Sequence, residues 1–342
     1  MGRIIGHEKA LKRLERAVEQ ARLAHAYLFA GPDGLGKKLV ALRFACMLNC
    51  PDRTEDEDWS CPVCRRIGEG KHPDVTLDEP ERGMIRIERI REMHRFFKYA
   101  PIEGAYRVAI IDDAHLMNRQ AQNALLKTLE EPPSNRALIL VTAKPARLLP
   151  TVRSRCQRIS FQPLPLEPLA EFLVERLNIP TEKAQSLAAL GNGSVGRALE
   201  IHGRNYAELK DLMMDLLLQP GKEGIRALLE SAIRISSDRE AALDAIEIGA
   251  TIIRDMIFHK MELDESDFIH RDSLDRISLG AQHQGYEELL AVYEELSRAS
   301  ELIESEINVN RNLVVDVMLL KAVRALAGPG MGAVQEARRG TR

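Results

Sequence analysis

A short apolar strand that runs into a glycine-rich turn and then a helix leaves a chain few folds to choose from. Residues 29–44 read FAGPDGLGKKLVALRF, with Gly31, Gly36 and Lys37 at the spacing of a phosphate-binding loop. In such a loop the backbone N–H groups cradle phosphates, the lysine reaches the outer phosphate, and a following Ser or Thr ligates magnesium. Lys38 stands where the hydroxyl belongs. An ammonium offers no lone pair to a metal and brings the charge the metal would have brought.

The loop predicts an α/β layer on a parallel sheet, and the residues from 1 to 162 alternate accordingly. Strands are expected at 26–30, 74–78, 107–112, 137–142 and 158–161, with helices at 7–22, 36–49, 87–98 and 118–130. The runs at 107–112 and 137–142 are almost wholly apolar, as strands covered on both faces are. Pro163, Pro165 and Pro168 then mark a hinge. Beyond it strand signals stop: 163–203 reads as short helices around the turn GNGSVG, 204–327 as helix throughout, and 328–342 as a disordered tail.

At 342 residues the chain exceeds what one core usually serves. A net charge of −3 gives no global footprint for nucleic acid, so DNA contact has to be local or shared with other subunits. No apolar run approaches the roughly 18 residues of a membrane span, and the charged N-terminal stretch is unlike a signal peptide, which predicts a cytoplasmic chain. Five cysteines, four of them from Cys46 to Cys64, suit a reducing compartment and suggest metal or core packing before disulfides.

The second half of a phosphate-loop site is an acidic pair ending a buried strand. VAIIDDAHLM supplies Asp112, the metal-side carboxylate, and Asp113, where hydrolysing enzymes of this type carry Glu. The shorter side chain holds a catalytic water less well, so Lys38 and Asp113 weaken hydrolysis together. The alternative is purely structural: a tight strand-to-helix turn, with Asp112 as a cap.

The run AQNALLKTLEEPPSNRALILVTAKPARLLPTVRSRCQRISF, 121–161, with HAYLFAGP and KHPDV, resembles the AAA+ clamp-loader subunits of bacterial replicative polymerases. The resemblance covers at least 1–200 and implies a RecA-like AAA+ domain at 1–162, a helical lid at 163–203 and a helical collar at 204–327. The double aspartate and interrupted loop resemble the branch of that family which braces the ring rather than its ATP-hydrolysing gamma/tau motor. The implied partners are gamma/tau and delta subunits, the sliding clamp, and primer-template DNA through the assembled complex.

Residue roles follow from the same resemblance. Ser154, Arg155 and Cys156 match its Ser-Arg-Cys motif, making Arg155 an arginine finger for ATP bound by a neighbouring subunit; the alternative is a solvated surface arginine. Thr142 matches a sensor position or satisfies a backbone group, and Arg197 matches a lid arginine or serves as an ion-pair partner. Gly31, Gly36, Lys37, Asp112, Asp113, Thr142 and Arg197 together would form a degenerate nucleotide site, with ATP binding by this chain in doubt.

The family also carries a four-cysteine zinc module near 46–72. Cys50, Cys61 and Cys64 match three of its ligands and Asp58 stands at the fourth, a set that can hold zinc. Cys46 and His72 are other candidate fourth ligands, though Cys46 also reads as a packed core thiol. A motor subunit that hydrolyses ATP itself is the competing reading for the whole chain.

Overall fold

The computed structural model describes residues 3–51, 61–81, 83–132, 134–204, 206–220, 225–264, 267–305 and 309–327. Asp58 and the 328–342 tail lie outside these. The chain divides into two compact units, one of residues 1–169 with 193–197 and one of 170–192 with 198 onward.

The first unit is built on a five-stranded sheet. Its strands are β1 (Ala26–Ala30), β2 (Val75–Asp78), β3 (Arg107–Ile111), β4 (Arg136–Thr142) and β5 (Gln157–Ser160). They lie in the order β2-β3-β4-β1-β5, and every pairing is parallel. The five strands agree with the sequence expectation to within a residue at each end.

Alternate side chains feed two cores, one on each face of the sheet. Tyr27, Phe29, Val108, Ile110, Ile139 and Val141 pack with Leu14, Phe44 and Ile67 on one face. These come from α1 (Glu8–Glu19), α2 (Lys37–Asn49) and α3 (Pro62–Gly68). Leu28, Ala109, Ile111, Leu138 and Leu140 pack on the other face with Ile90, Met93, Leu125 and Leu129, from α4 (Ile87–Phe97) and α5 (Arg119–Glu130). Asn118 caps α5 by accepting the Ala121 N–H at 2.8 Å. The α3 helix falls in the cysteine segment and was not anticipated, although Pro62 at its first position is a usual helix start.

Because all strands are parallel, their C-terminal ends share one edge. Ala30 pairs with both Thr142 and Ser160, and Asp78 with Ile111. The residues that follow β1, β2, β3 and β4 therefore converge there, where open parallel sheets place ligands. A short α6 (Pro150–Arg153) leads into β5.

In sequence order the remaining helices are α7 (Leu166–Leu177), α8 (Thr181–Leu190), α9 (Val195–Gly203), α10 (Tyr206–Leu218), α11 (Ile225–Ile235), α12 (Arg239–Lys260), α13 (Leu274–Ala281), α14 (Tyr286–Glu304) and α15 (Arg311–Ala327). In the second unit α12 is the organising element. It packs against α10, α13 and α14, while α15 packs against α14 and α11. Asp238 caps it through the Ala241 N–H at 2.7 Å. One polar knot is buried here: His270 meets Thr251 Oγ1 at 2.9 Å through Nε2 and the Tyr206 hydroxyl at 3.4 Å through Nδ1. Burial, with the nearby Lys210 charge, holds its pKa down at about 3.

Candidate functional site: a phosphate loop and an arginine strap

The phosphate loop joins β1 to α2, and its conformation is fixed from all sides. Lys37 Nζ donates to Pro32 O at 2.5 Å, Ser194 Oγ to Asp33 O at 2.9 Å, and Gly196 N to Gly34 O at 2.9 Å. His7 Nε2 meets Leu35 O at 2.8 Å, and Val40 N donates to Gly36 O at 3.0 Å. Every carbonyl from Pro32 to Gly36 is thus satisfied within the protein. Gly34 has φ +70° and lies so close to the Gly196 backbone that a Cβ on Gly196 would stand 2.8 Å from Gly34 Cα. Only glycine at both positions permits that approach.

Lys37 is buried, and its ammonium is 3.9 Å from Asp33 Oδ1. Burial holds it below the ordinary lysine value against the pull of Asp33, Asp112 and Asp113. Lys38 turns to the acidic side instead. Its Nζ bonds Asp112 Oδ2 at 2.8 Å and Glu79 Oε1 at 2.7 Å. Partial burial works against its charge, but the bonds to Asp112 and Glu79 outweigh it and raise the pKa.

Asp112 follows β3, and its N–H bonds Asp78 O at 2.9 Å, which continues the β2–β3 pairing. Asp113 adopts a left-handed conformation, φ 45°, and begins a 3-10 turn, Ala114–Leu116. Burial first and the Asp112 charge second push its carboxyl above the usual range. Thr142 is fully buried; its Oγ1 accepts the Lys144 N–H at 3.1 Å and meets His115 Nδ1 at 3.2 Å. Arg197 lies in the first turn of α9, where its N–H donates to Ser194 Oγ at 3.2 Å.

Ser154, Arg155 and Cys156 form the strap between α6 and β5. Arg155 reaches back to the end of α5, with Nη2 2.9 Å from Glu130 Oε1 and Nη1 donating to Thr151 O at 3.1 Å. Both members of the ion pair are solvent-accessible, 37% for Arg155 and 52% for Glu130. Ser154 Oγ donates to Thr151 O at 3.2 Å. Cys156 is inert by comparison, its thiol pushed up to about 12 by burial.

Cys50, Cys61 and Cys64 form a cluster whose sulfurs lie within 4.8 Å of one another, an arrangement that can bind a metal ion. The Cys50 and Cys61 sulfurs are 3.4 Å apart. The Cys64 N–H, on the first turn of α3, is the main influence lowering the Cys61 thiol. Cys64 is raised by its hydrogen bond with Cys46 and then by burial. Cys46 and His72 are both buried and outside the three-sulfur cluster; His72 Nδ1 accepts the Asp74 N–H at 3.1 Å.

The structure also adds residues that the sequence reading passed over. His7, Ser194 and Gly196 hold the loop, and Glu79 shares Lys38. Gln122 ties α5 to the chain before α6 by accepting Leu149 N–H at 2.7 Å and donating to Met117 O at 3.0 Å. For Glu79 a signal existed, an acid directly after a strand. For His7 there was none.

A phosphate loop, an acidic pair and an arginine strap on the C-terminal edge of one parallel sheet, with a separate all-helical unit, make this a protein of the AAA+ P-loop class. Comparison with known proteins narrows it. A family model described as DNA polymerase III, delta subunit, matches residues 6–165, and one for the C terminal of that subunit matches 209–323. DNA polymerase III subunit delta' of Pseudomonas aeruginosa is 30% identical over 329 residues, 91% of this chain and 95% of its own length. The delta' subunit of Bacillus subtilis is 36% identical over 56% of this chain and 58% of its own, and that organism's tau subunit is 31% identical over 75% and 48%. Among solved structures, a gamma-subunit-related protein of Thermotoga maritima gives a TM-score of 0.46 at 21% identity over 92% of this chain and 99% of its own, too loose to add weight. The chain belongs to the delta-prime family of DNA polymerase III clamp-loader subunits.

Proposed function

We propose that this chain is a stator of the clamp loader: it braces a ring with gamma/tau and delta subunits and lends Arg155 to the ATP site of a gamma/tau neighbour. The ring loads the sliding clamp onto primed DNA, and DNA is met through the assembled complex. One observation carries the reading. Lys38 occupies Asp112, the carboxylate a metal-nucleotide would need, while Arg155 sits on a strap beside a carboxylate it can leave at small cost. A guanidinium delivered in trans stabilises charge on transferring phosphate and is worth several orders of magnitude in rate. Gly31, Gly36, Lys37, Asp113, Thr142 and Arg197 then keep the shape of a nucleotide site that does not turn over ATP.

In this reading the helical stretch 204–327 is the collar and 163–203 the lid. Leu290, Tyr293, Leu313, Val317 and Leu320, exposed on α14 and α15, suit subunit packing. Zinc held by Cys50, Cys61 and Cys64 would tie the end of α2 to the start of α3; Asp58, the fourth ligand of the resemblance, lies outside the described residues. Zinc should then be equimolar with protein and lost in Cys61→Ser. Among the described residues no helix is long and apolar enough to cross a membrane.

The test is reconstitution. Mixed with gamma/tau- and delta-type subunits, the chain should enter one complex with DNA-stimulated ATPase, and alone it should hydrolyse no ATP. Lys37-dependent turnover by the isolated chain would establish the motor reading instead.

A further inference from the structure

The divalent cation of a hydrolysing phosphate loop does not fit the residues present here. Such an ion is held between the nucleotide phosphates, the hydroxyl after the loop lysine and the carboxylate beyond a central strand. In this chain the hydroxyl is absent, and the carboxylate, Asp112, is bonded by Lys38 Nζ at 2.8 Å. The same ammonium reaches Glu79 at 2.7 Å. A magnesium ion needs oxygen ligands at about 2.1 Å in near-octahedral order. Placed on Asp112 it would put two cations against one buried carboxylate, an arrangement that Coulomb repulsion disfavours. The bonds to Asp112 and Glu79 also outweigh the effect of burial on the Lys38 charge, so the ammonium persists at any working pH.

The pairing joins three separate pieces of chain. Lys38 lies in the first turn of α2, Asp112 follows β3 and Glu79 follows β2, and the first two stand where a working loop holds its metal ion. We propose that Lys38 is a resident cation in the metal position of this loop, so that the site holds its charge balance and shape without a metal and admits no divalent ion. A joint that would otherwise open and close with ligand is thereby permanent, which suits a brace. The inference rests on the reading of this loop as non-hydrolysing. The two fail separately, because one test reads metal binding and the other reads ATP turnover.

The full chain is titrated with Mn²⁺, with free ion followed by electron paramagnetic resonance, for the wild type, Lys38→Thr, Lys38→Arg, and Lys38→Thr combined with Asp112→Asn. Lys38→Thr should bind Mn²⁺ at least about tenfold more tightly than the wild type, since Asp112 and Glu79 lose their counter-charge. Lys38→Arg should behave as the wild type, and Asp112→Asn should erase the gain. Added Mg²⁺ should raise the Tm of Lys38→Thr and leave the wild-type Tm unmoved. Equal Mn²⁺ affinity in wild type and Lys38→Thr, or a gain that survives Asp112→Asn, overturns the proposal. Were Lys38→Thr unable to fold, the wild type still decides: a Tm that rises with Mg²⁺ and stops doing so in Asp112→Asn contradicts a resident cation.

Discussion

The phosphate loop and the arginine strap lie on the same domain and use the same kind of residue, a cation near a carboxylate, to opposite ends. At the loop, Lys37 is buried on Pro32 O and Lys38 is shared between Asp112 and Glu79. Lys37 reaches a ligand only by leaving Pro32 O, and Lys38, although its side chain is 41% exposed, is tied to the buried carboxylate of Asp112, whereas both partners of the Arg155 ion pair lie at the surface. At the strap, Arg155 and Glu130 are each well exposed, and such pairs are worth about 0–1 kcal/mol. That arginine can exchange its partner for a phosphate at little cost. A charge satisfied internally contributes stability, and a charge held loosely at the surface is free for work elsewhere.

The largest effect that could break this contrast is on rate. Arg155→Ala should leave assembly and Tm nearly unchanged while slowing ATP turnover at the one site it serves by on the order of 10³-fold. The check is ATPase and clamp loading by the reconstituted complex. Next comes a stability effect from an internally used charge. Asp74, fully buried, accepts N–H bonds from Ile102, Glu103 and Gly104 at 2.8, 2.8 and 2.9 Å and lies 3.4 Å from Arg107 Nε. Asp74→Ala should cost about 3 kcal/mol by denaturant melt, because Arg107 is left buried beside an empty place.

The pH dependence of Asp74 has a definite sign. Burial alone would raise its pKa, but the three N–H donors and Arg107 reverse this and hold it below the usual range. Its stabilisation is therefore complete above the unfolded value of about 3.9 and is lost as pH falls through the lower folded value. His270 acts in a higher window. It is neutral in the fold down to about pH 3, whereas the unfolded chain protonates below about 6.5. Stability should fall by roughly 1.4 kcal/mol per pH unit from that value downward, and His270→Gln should flatten the slope in equilibrium melts. The smallest expected effect is that of Glu130→Gln: under about 1 kcal/mol in stability, with Arg155 still competent in the assembled ATPase.

The centre of the sheet was legible because β1, β3 and β4 are short, largely apolar runs bounded by turn residues. Strands β3 and β4, buried on both faces, could hardly read otherwise. The departure at Lys38 was equally plain, but not what it binds: Glu79 becomes its neighbour only because β2 lies beside β3, a pairing that no local pattern encodes. His7 and Ser194 escaped for the same reason, since they reach the loop across 28 and 161 residues of sequence. GNGSVG was readable as a turn, yet the need for Gly196 appears only where its backbone meets Gly34. The α3 helix was hidden by cysteines, whose chemistry suggests ligands before it suggests a helix.

The contrast between loop and strap is tested most directly by two substitutions made in this chain alone and assayed side by side in the reconstituted complex. With Lys37→Ala, DNA-stimulated ATPase should stay where it was, since a non-hydrolysing loop has no turnover to lose. With Arg155→Ala it should fall, with the complex still assembled. A fall with Lys37→Ala and none with Arg155→Ala would show that this chain burns its own nucleotide and lends nothing to its neighbour.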